Sequence, residues 1–167
     1  MEVVAKAEVL LLTANVAEEE QVKKYVDDTV SRFGQIDGFF NNAGVEGKQD
    51  LTEDFGSNEF QKVVSINLNG VFFGMKYVLA VMKKQGSGSI VKTASVGGIR
   101  GVGNQSGYAA SKHGVVGDNW EEVGKEFVQP NPMKRFGKPE EVGYLVAFLL
   151  SDQANFINAA VVQIDGG

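Results

Sequence analysis

Tyr108 and Lys112 stand four residues apart in the run Tyr108-Ala109-Ala110-Ser111-Lys112. On a helix, side chains at that spacing rise on one face. A free phenol titrates near ~10 and is a poor acid or base at neutral pH. A cation held beside it favours the phenolate, so such a pair can trade a proton with an alcohol or a carbonyl. The pattern alone is common on helix surfaces and carries little weight. Two more polar residues change that. Ser95 lies thirteen residues upstream, where the strand expected over Ser89–Ala94 gives way to Gly97-Gly98. Ligands on open α/β sheets bind beyond the carboxyl ends of the strands. Asn67 interrupts a long apolar helical pattern at Ile66-Asn67-Leu68-Asn69-Gly70, where an amide is unfavourable unless it has bonds to make. Taken singly, Ser95 reads equally as a turn serine and Asn67 as a satisfied core amide. Asn41-Asn42-Ala43-Gly44 reads as a strand-to-helix turn about as well as a ligand contact.

The elements that must position these residues follow from periodicity. Glu8–Thr13 is a short apolar run of the kind that forms a buried strand. Asn15 with Glu18 three residues on makes a capping-box pattern, and Val22, Tyr25, Val26, Val30 and Phe33 follow at helical spacing before Gly34. Ile36–Phe40 is the next strand. A helix over Ser57–Lys84 places Phe60, Val63, Val64, Val71, Phe72, Met75, Leu79 and Met82 inward. Ser89–Ala94 is a third strand, followed by a helix near Gly107–Val116. Asp118 and Glu121 suggest another capped helix, and Pro139, Glu140 and Glu141 open a last one. Ala160–Ile164 reads as the final strand. Alternating strands and helices predict one α/β domain across 1–167 with a mainly parallel sheet. The strands lack polar alternation, as expected when helices cover both faces.

In order and spacing, Asn41-Asn42-Ala43-Gly44, Asn67 with Gly70, Ser95, Tyr108-x-x-x-Lys112 and the tail Arg135-Phe136-Gly137-Lys138-Pro139-Glu140-Glu141 through Asp165-Gly166-Gly167 resemble the short-chain dehydrogenase/reductase family. The resemblance implies a Rossmann-like doubly wound parallel sheet with strand order 3-2-1-4-5-6-7. It implies an NAD- or NADP-dependent oxidoreductase that interconverts a secondary alcohol and a ketone. Tyr108 would be the general acid/base, and Lys112 would tune it and hold the nicotinamide ribose. Ser95 would orient the substrate oxygen, and Asn67 would hold a water in the proton relay. Asn15, Asn41, Ala43, Gly44, Tyr108 and Lys112 would line the cofactor. The family's long helix and Tyr-Lys helix pair across a two-fold axis, so a homodimer or homotetramer is expected.

The chain departs from that pattern in two places. No glycine-rich phosphate-binding turn follows a strand near the start, and the family's first two strands are not found. A dinucleotide is therefore expected to bind weakly or not at all, touched at its nicotinamide half with nothing to hold its pyrophosphate. A helix, one later strand and the substrate loop also drop out near Gly117-Asp118, leaving an incomplete sheet. The rival expectation is a truncated, catalytically inactive relative that serves as an interaction module or survives as a relic. A flavodoxin-like binding domain would have to treat the Asn67–Ser95–Tyr108–Lys112 spacing as coincidence.

Composition narrows the classes further. The chain has 167 residues, of which 43% are hydrophobic and 22% charged, as in an ordinary globular domain. It lacks cysteine and has a single histidine, His113, which excludes thiolate and multi-histidine metal sites. A net charge of −5 without a basic cluster argues against a nucleic-acid partner. Neither a secretory leader nor an apolar run of membrane-spanning length is read from the sequence, so a cytoplasmic protein with a small-molecule alcohol or ketone substrate is expected. His113 is expected on a helix surface, and Trp120 is assigned nothing beyond packing.

Overall fold

Glu19 and Glu20 at one end and Arg32 at the other suit the dipole of helix α1 (Glu19–Phe33). The helix stops at Gly34, whose φ of 84° lets its N–H reach the Val30 carbonyl at 2.8 Å. The computed structural model describes residues 8–98, 102–116, 138–158 and 160–164. The expected cap at Asn15 does not form. Its Oδ1 accepts from the Ala17 amide at 3.1 Å in a tight turn, and α1 begins four residues later, with Glu18 making no side-chain cap. A short amide satisfied by the nearest backbone N–H competes with capping.

Strands β1 (Gly38–Asn41) and β2 (Ser89–Lys92) pair in parallel, with Gly38 opposite Ser89 and Asn41 opposite Lys92. Ile36, expected in the first of them, lies ahead of β1. The Gln85 side chain takes both its N–H and its carbonyl at 2.9 Å. Val26, Ile36, Val78 and Met82 form the buried cluster between α1, this pair and the long helical run. The described residues contain these two strands alone. Glu8–Thr13 and Ala160–Ile164 run without regular structure and stay largely exposed, Leu11 at 90%. A strand needs a neighbour for its backbone N–H and C=O groups. In the order 3-2-1-4-5-6-7 both segments would pair with strands that are not among the described residues.

The expected single helix over Ser57–Lys84 is three pieces: α2 (Ser57–Val64), a π turn (Ser65–Asn69) and α3 (Gly70–Gln85). The run Ser57–Gln85, of 29 residues, is after all long and apolar enough to cross a membrane by length and composition. The core helix of a globular domain meets the same criterion. Here Val63, Asn67, Val71, Gly74, Val78 and Met82 are buried along it, and α3 packs on α1 and β1. α4 (Ser106–Val116) lies against α2 and the π turn. α5 (Pro139–Leu149) starts with proline in its first turn and the Lys138 amide bonded to Glu141 Oε2 at 2.7 Å. The helix expected at Asp118, with Trp120, lies outside the described residues, as do Arg135–Gly137 and Asp165–Gly167.

Candidate active site

The carboxyl ends of β1 and β2 are tied together before any side chain of the site is placed. The Thr93 amide donates to the Asn41 carbonyl at 3.1 Å, and Thr93 Oγ1 donates to Asn42 Oδ1 at 2.8 Å. Asn41 is buried and its carboxamide donates to the Val71 carbonyl at 2.9 Å, so this side chain holds the turn from behind. Gly74 makes room for it: a Cβ there would stand 2.8 Å from Asn41 Nδ2. Asn42, Ala43 and Gly44 are left exposed beyond the strand end.

Asn67 occupies the middle of the π turn and is fully buried. Its Oδ1 accepts from the Val45 amide and its Nδ2 donates to the Val45 carbonyl, both at 2.8 Å. The side chain thus acts as a strand partner for the residue that follows Gly44. The second Nδ2 hydrogen goes to Ser111 Oγ at 3.0 Å. A π turn adds a residue to the helical circuit and is common where a helix serves a site.

Tyr108 sits in the first turn of α4 and Lys112 one turn on. Lys112 is 4% exposed, and its Nζ donates to the Thr93 carbonyl at 3.1 Å, just past the end of β2. The same Nζ lies 5.8 Å from the Tyr108 ring centroid. Burial alone holds the Lys112 ammonium below the ordinary lysine range. A Cβ on Gly44 would meet Asn67 Oδ1 at 3.3 Å and Lys112 Nζ at 3.4 Å. Gly44 therefore lies between the two, and only glycine leaves both in place without a shift.

Ser95 is half-buried in the loop after β2, with its Oγ accepting from the Gly97 amide at 3.2 Å and its carbonyl from the Gly98 amide at 2.8 Å. Gly97 presses on the Tyr108 ring, 3.1 Å from where its Cβ would stand. The loop carrying Ser95 thus lies on the same side of the sheet as Tyr108. Asn15 is exposed at the entrance to α1, and its neighbour Val16 seats on Gly70 directly after the π turn. His113 is half-buried and its Nδ1 bonds the Ala109 carbonyl at 2.9 Å, a local bond within α4. Among the described residues no group of acidic and histidine side chains could hold a metal ion.

Sequence reading passes over three contributors: Thr93, Val45 and Ser111. Thr93 and Val45 act largely through backbone atoms, which no residue type announces. Ser111 stands inside the Tyr-x-x-x-Lys run, but an isolated helix serine carries no signal of its own.

A short chain dehydrogenase profile matches residues 2–119, well over half the sequence. The chain belongs to the short-chain dehydrogenase/reductase family. A second profile, enoyl-(acyl carrier protein) reductase, matches residues 117–167. Levodione reductase of Leifsonia aquatica is 50% identical over 205 positions, covering 100% of this chain and 77% of that protein. Cyclohexanol dehydrogenase of Acinetobacter sp. strain SE19 is 37% identical over 182 positions, covering 92% of this chain and 72% of that protein. The crystal structure of levodione reductase superposes with a TM-score of 0.87 over 97% of this chain and 78% of its own. NAD+-bound xylitol dehydrogenase, 29% identical, gives 0.81, covering 93% of this chain and 78% of its own. ElxO with NADP bound, 28% identical, gives 0.82, covering 93% and 76%. The fold is thus the family's Rossmann-like α/β fold, and the family's cofactor is NAD or NADP. Aligning 167 residues over 205 positions means that levodione reductase carries residues this chain lacks. The two family profiles meet at 117–119, where the sequence itself points to a missing segment.

Proposed function

We propose that the chain is an NAD(P)-dependent oxidoreductase that interconverts a secondary alcohol and a ketone, with Tyr108, Lys112, Ser95 and Asn67 as its catalytic set. The observation that carries this reading is the Lys112 ammonium, 4% exposed, anchored at the strand end beside the Tyr108 ring. A buried cation next to a phenol stabilises the phenolate in the proton exchange with the substrate oxygen. Ser95, on the adjoining loop, orients that oxygen. Asn67 holds the turn after Gly44 and, through the π turn, the wall behind the relay.

The residues present fit the nicotinamide half of the cofactor. Asn42, Ala43 and Gly44 are exposed beyond β1, Gly44 leaves open backbone, and the Lys112 ammonium has three hydrogens for one acceptor among the described residues. Ala43, Gly44, Tyr108 and Lys112 would hold it, with Asn41 fixing the turn from behind and Asn15 facing the adenine. When bound, the nicotinamide supplies or accepts the hydride. The substrates that levodione reductase and cyclohexanol dehydrogenase are named for support a cyclic ketone or alcohol for this chain.

We further propose a homodimer or homotetramer working in the cytoplasm. Phe72 and Leu79, expected inward from the spacing as Phe60 was, instead project from the helical run at 60% and 47% exposure, which supports a self-complementary helix face. An inactive interaction module or relic is the second reading, and the residues that levodione reductase carries and this chain lacks are the observation that favours it. Nicotinamide absorbance, followed with cyclohexanone or cyclohexanol and either cofactor, separates the two. Turnover is expected, and its complete absence with both cofactors would sink the catalytic reading.

A further inference from the structure

We infer that Ser111 is a positioning residue: its hydroxyl, bonded to Asn67 on one side and to the Tyr108 carbonyl on the other, fixes how the Tyr108–Lys112 face of α4 seats against the π turn.

The polarity of the link is settled by counting hydrogens. A serine hydroxyl has one hydrogen and two lone pairs. Ser111 Oγ gives its hydrogen to the Tyr108 carbonyl at 2.8 Å and accepts from Asn67 Nδ2 at 3.0 Å. Asn67 uses its other Nδ2 hydrogen and its Oδ1 on Val45. One unbranched chain of bonds thus runs from the backbone after Gly44, through Asn67 and Ser111, to the peptide of Tyr108. Ser111 and Asn67 are both 0% exposed, so water cannot replace a lost member. Among the described residues no buried side-chain polar atom lacks a partner. Removing the hydroxyl strands one Asn67 N–H, which the structure relieves only by moving the π turn and α4 apart.

The packing passes such a movement to Lys112. Gly114 of α4 lies against Leu68 of the π turn, where a Cβ would stand 2.9 Å from the leucine. Gly44 sits between Asn67 Oδ1 and Lys112 Nζ. With contacts this close on both sides of Ser111, a shift of a few tenths of an ångström alters how deeply the Lys112 ammonium is buried on the Thr93 carbonyl. Burial alone sets the downward displacement of its titration, so that titration reports the seating.

The test is an NMR titration of the full chain with 15N-labelled lysine, the Lys112 signal being the one that Lys112→Arg removes. Ser111→Ala should move the Lys112 midpoint up toward the ordinary lysine value, with about a three-fold or larger change in its ionisation constant. Ser111→Cys keeps the volume with a weaker hydrogen-bonding group and should fall between the two. A folded Ser111→Ala with the wild-type midpoint overturns the inference. If the alanine variant does not fold, the cysteine variant decides: a raised midpoint supports the inference and an unchanged one overturns it. Failure of both to fold would make the hydroxyl a stability element and overturn it as well. The catalytic arm rests on the oxidoreductase reading. In it, Ser111→Ala lowers kcat about ten-fold with the ketone KM unchanged. Absence of turnover in the wild type would count against that reading alone, because the Lys112 midpoint is measured without cofactor.

Discussion

The π turn around Asn67 and the segment Glu8–Thr13 are both short and carry apolar side chains, yet they meet opposite fates. Asn67 is buried and Ile66 and Leu68 are half-buried beside it, because the single amide among them finds three partners: two on the Val45 backbone and one on Ser111. Val9, Leu10, Leu11 and Leu12 offer more apolar surface and remain exposed. Hydrophobic content does not by itself bury a segment. Its backbone N–H and C=O groups must also find partners, and an unpaired strand has none within its own length. The enclosed part of the molecule solves this with side chains that imitate a neighbouring strand, Asn67 for Val45 and Gln85 for Ile36. The flanks have no such substitute among the described residues.

The comparison is sharpened most by removing one atom from the knitted half. Tyr108→Phe keeps the ring that Gly97 and Lys112 pack against and deletes the proton donor. Turnover of a cyclic alcohol should fall by about 10²–10⁴-fold, with the circular dichroism spectrum unchanged. A phenylalanine variant with wild-type turnover would show that another group transfers the proton.

Asn67→Ala strikes the clamp itself. It leaves the Val45 amide and carbonyl without their partner and Ser111 without its donor. Groups stranded in a buried place cost about 1–3 kcal/mol, so the urea midpoint should drop by the equivalent of roughly 2–3 kcal/mol. A loss below about 0.5 kcal/mol would mean that the Val45 backbone is satisfied some other way.

The same contrast explains what could be read from residues alone. Tyr108, Lys112, Ser95 and Asn67 were legible because their spacing is tied to a helix and to a strand end, both fixed by local pattern. The π turn left a trace: Val63, Asn67, Val71, Gly74, Val78 and Met82 are buried at steps of four, four, three, four and four. That average exceeds the 3.6 of a regular helix and signals an inserted residue. Glu8–Thr13 and Ala160–Ile164 misled because an apolar run predicts burial only where a partner strand exists, which is a property of the rest of the chain. Asn15 misled because its amide could satisfy either of two nearby backbone groups, and the choice depends on where Val16 seats. The role of Thr93 in holding Lys112 stayed hidden because a carbonyl oxygen does that work.

The smallest expected effect belongs to the exposed flank. Leu11 is 90% exposed, so replacing it removes almost no buried area. The segment's ion pair, Glu8 with Arg32 at the end of α1, joins two side chains each 56% exposed. Surface pairs of this kind contribute about 0–1 kcal/mol and weaken with salt. Leu11→Ser should therefore leave the urea midpoint within the equivalent of about 0.5 kcal/mol of wild type, against the several-fold larger loss in Asn67→Ala. It should also lower any tendency to associate through this apolar stretch, which light scattering can follow. A destabilisation by Leu11→Ser equal to that of Asn67→Ala would mean that the flank is buried in solution. The sheet would then be wider than its two described strands, and the contrast between the two regions would collapse.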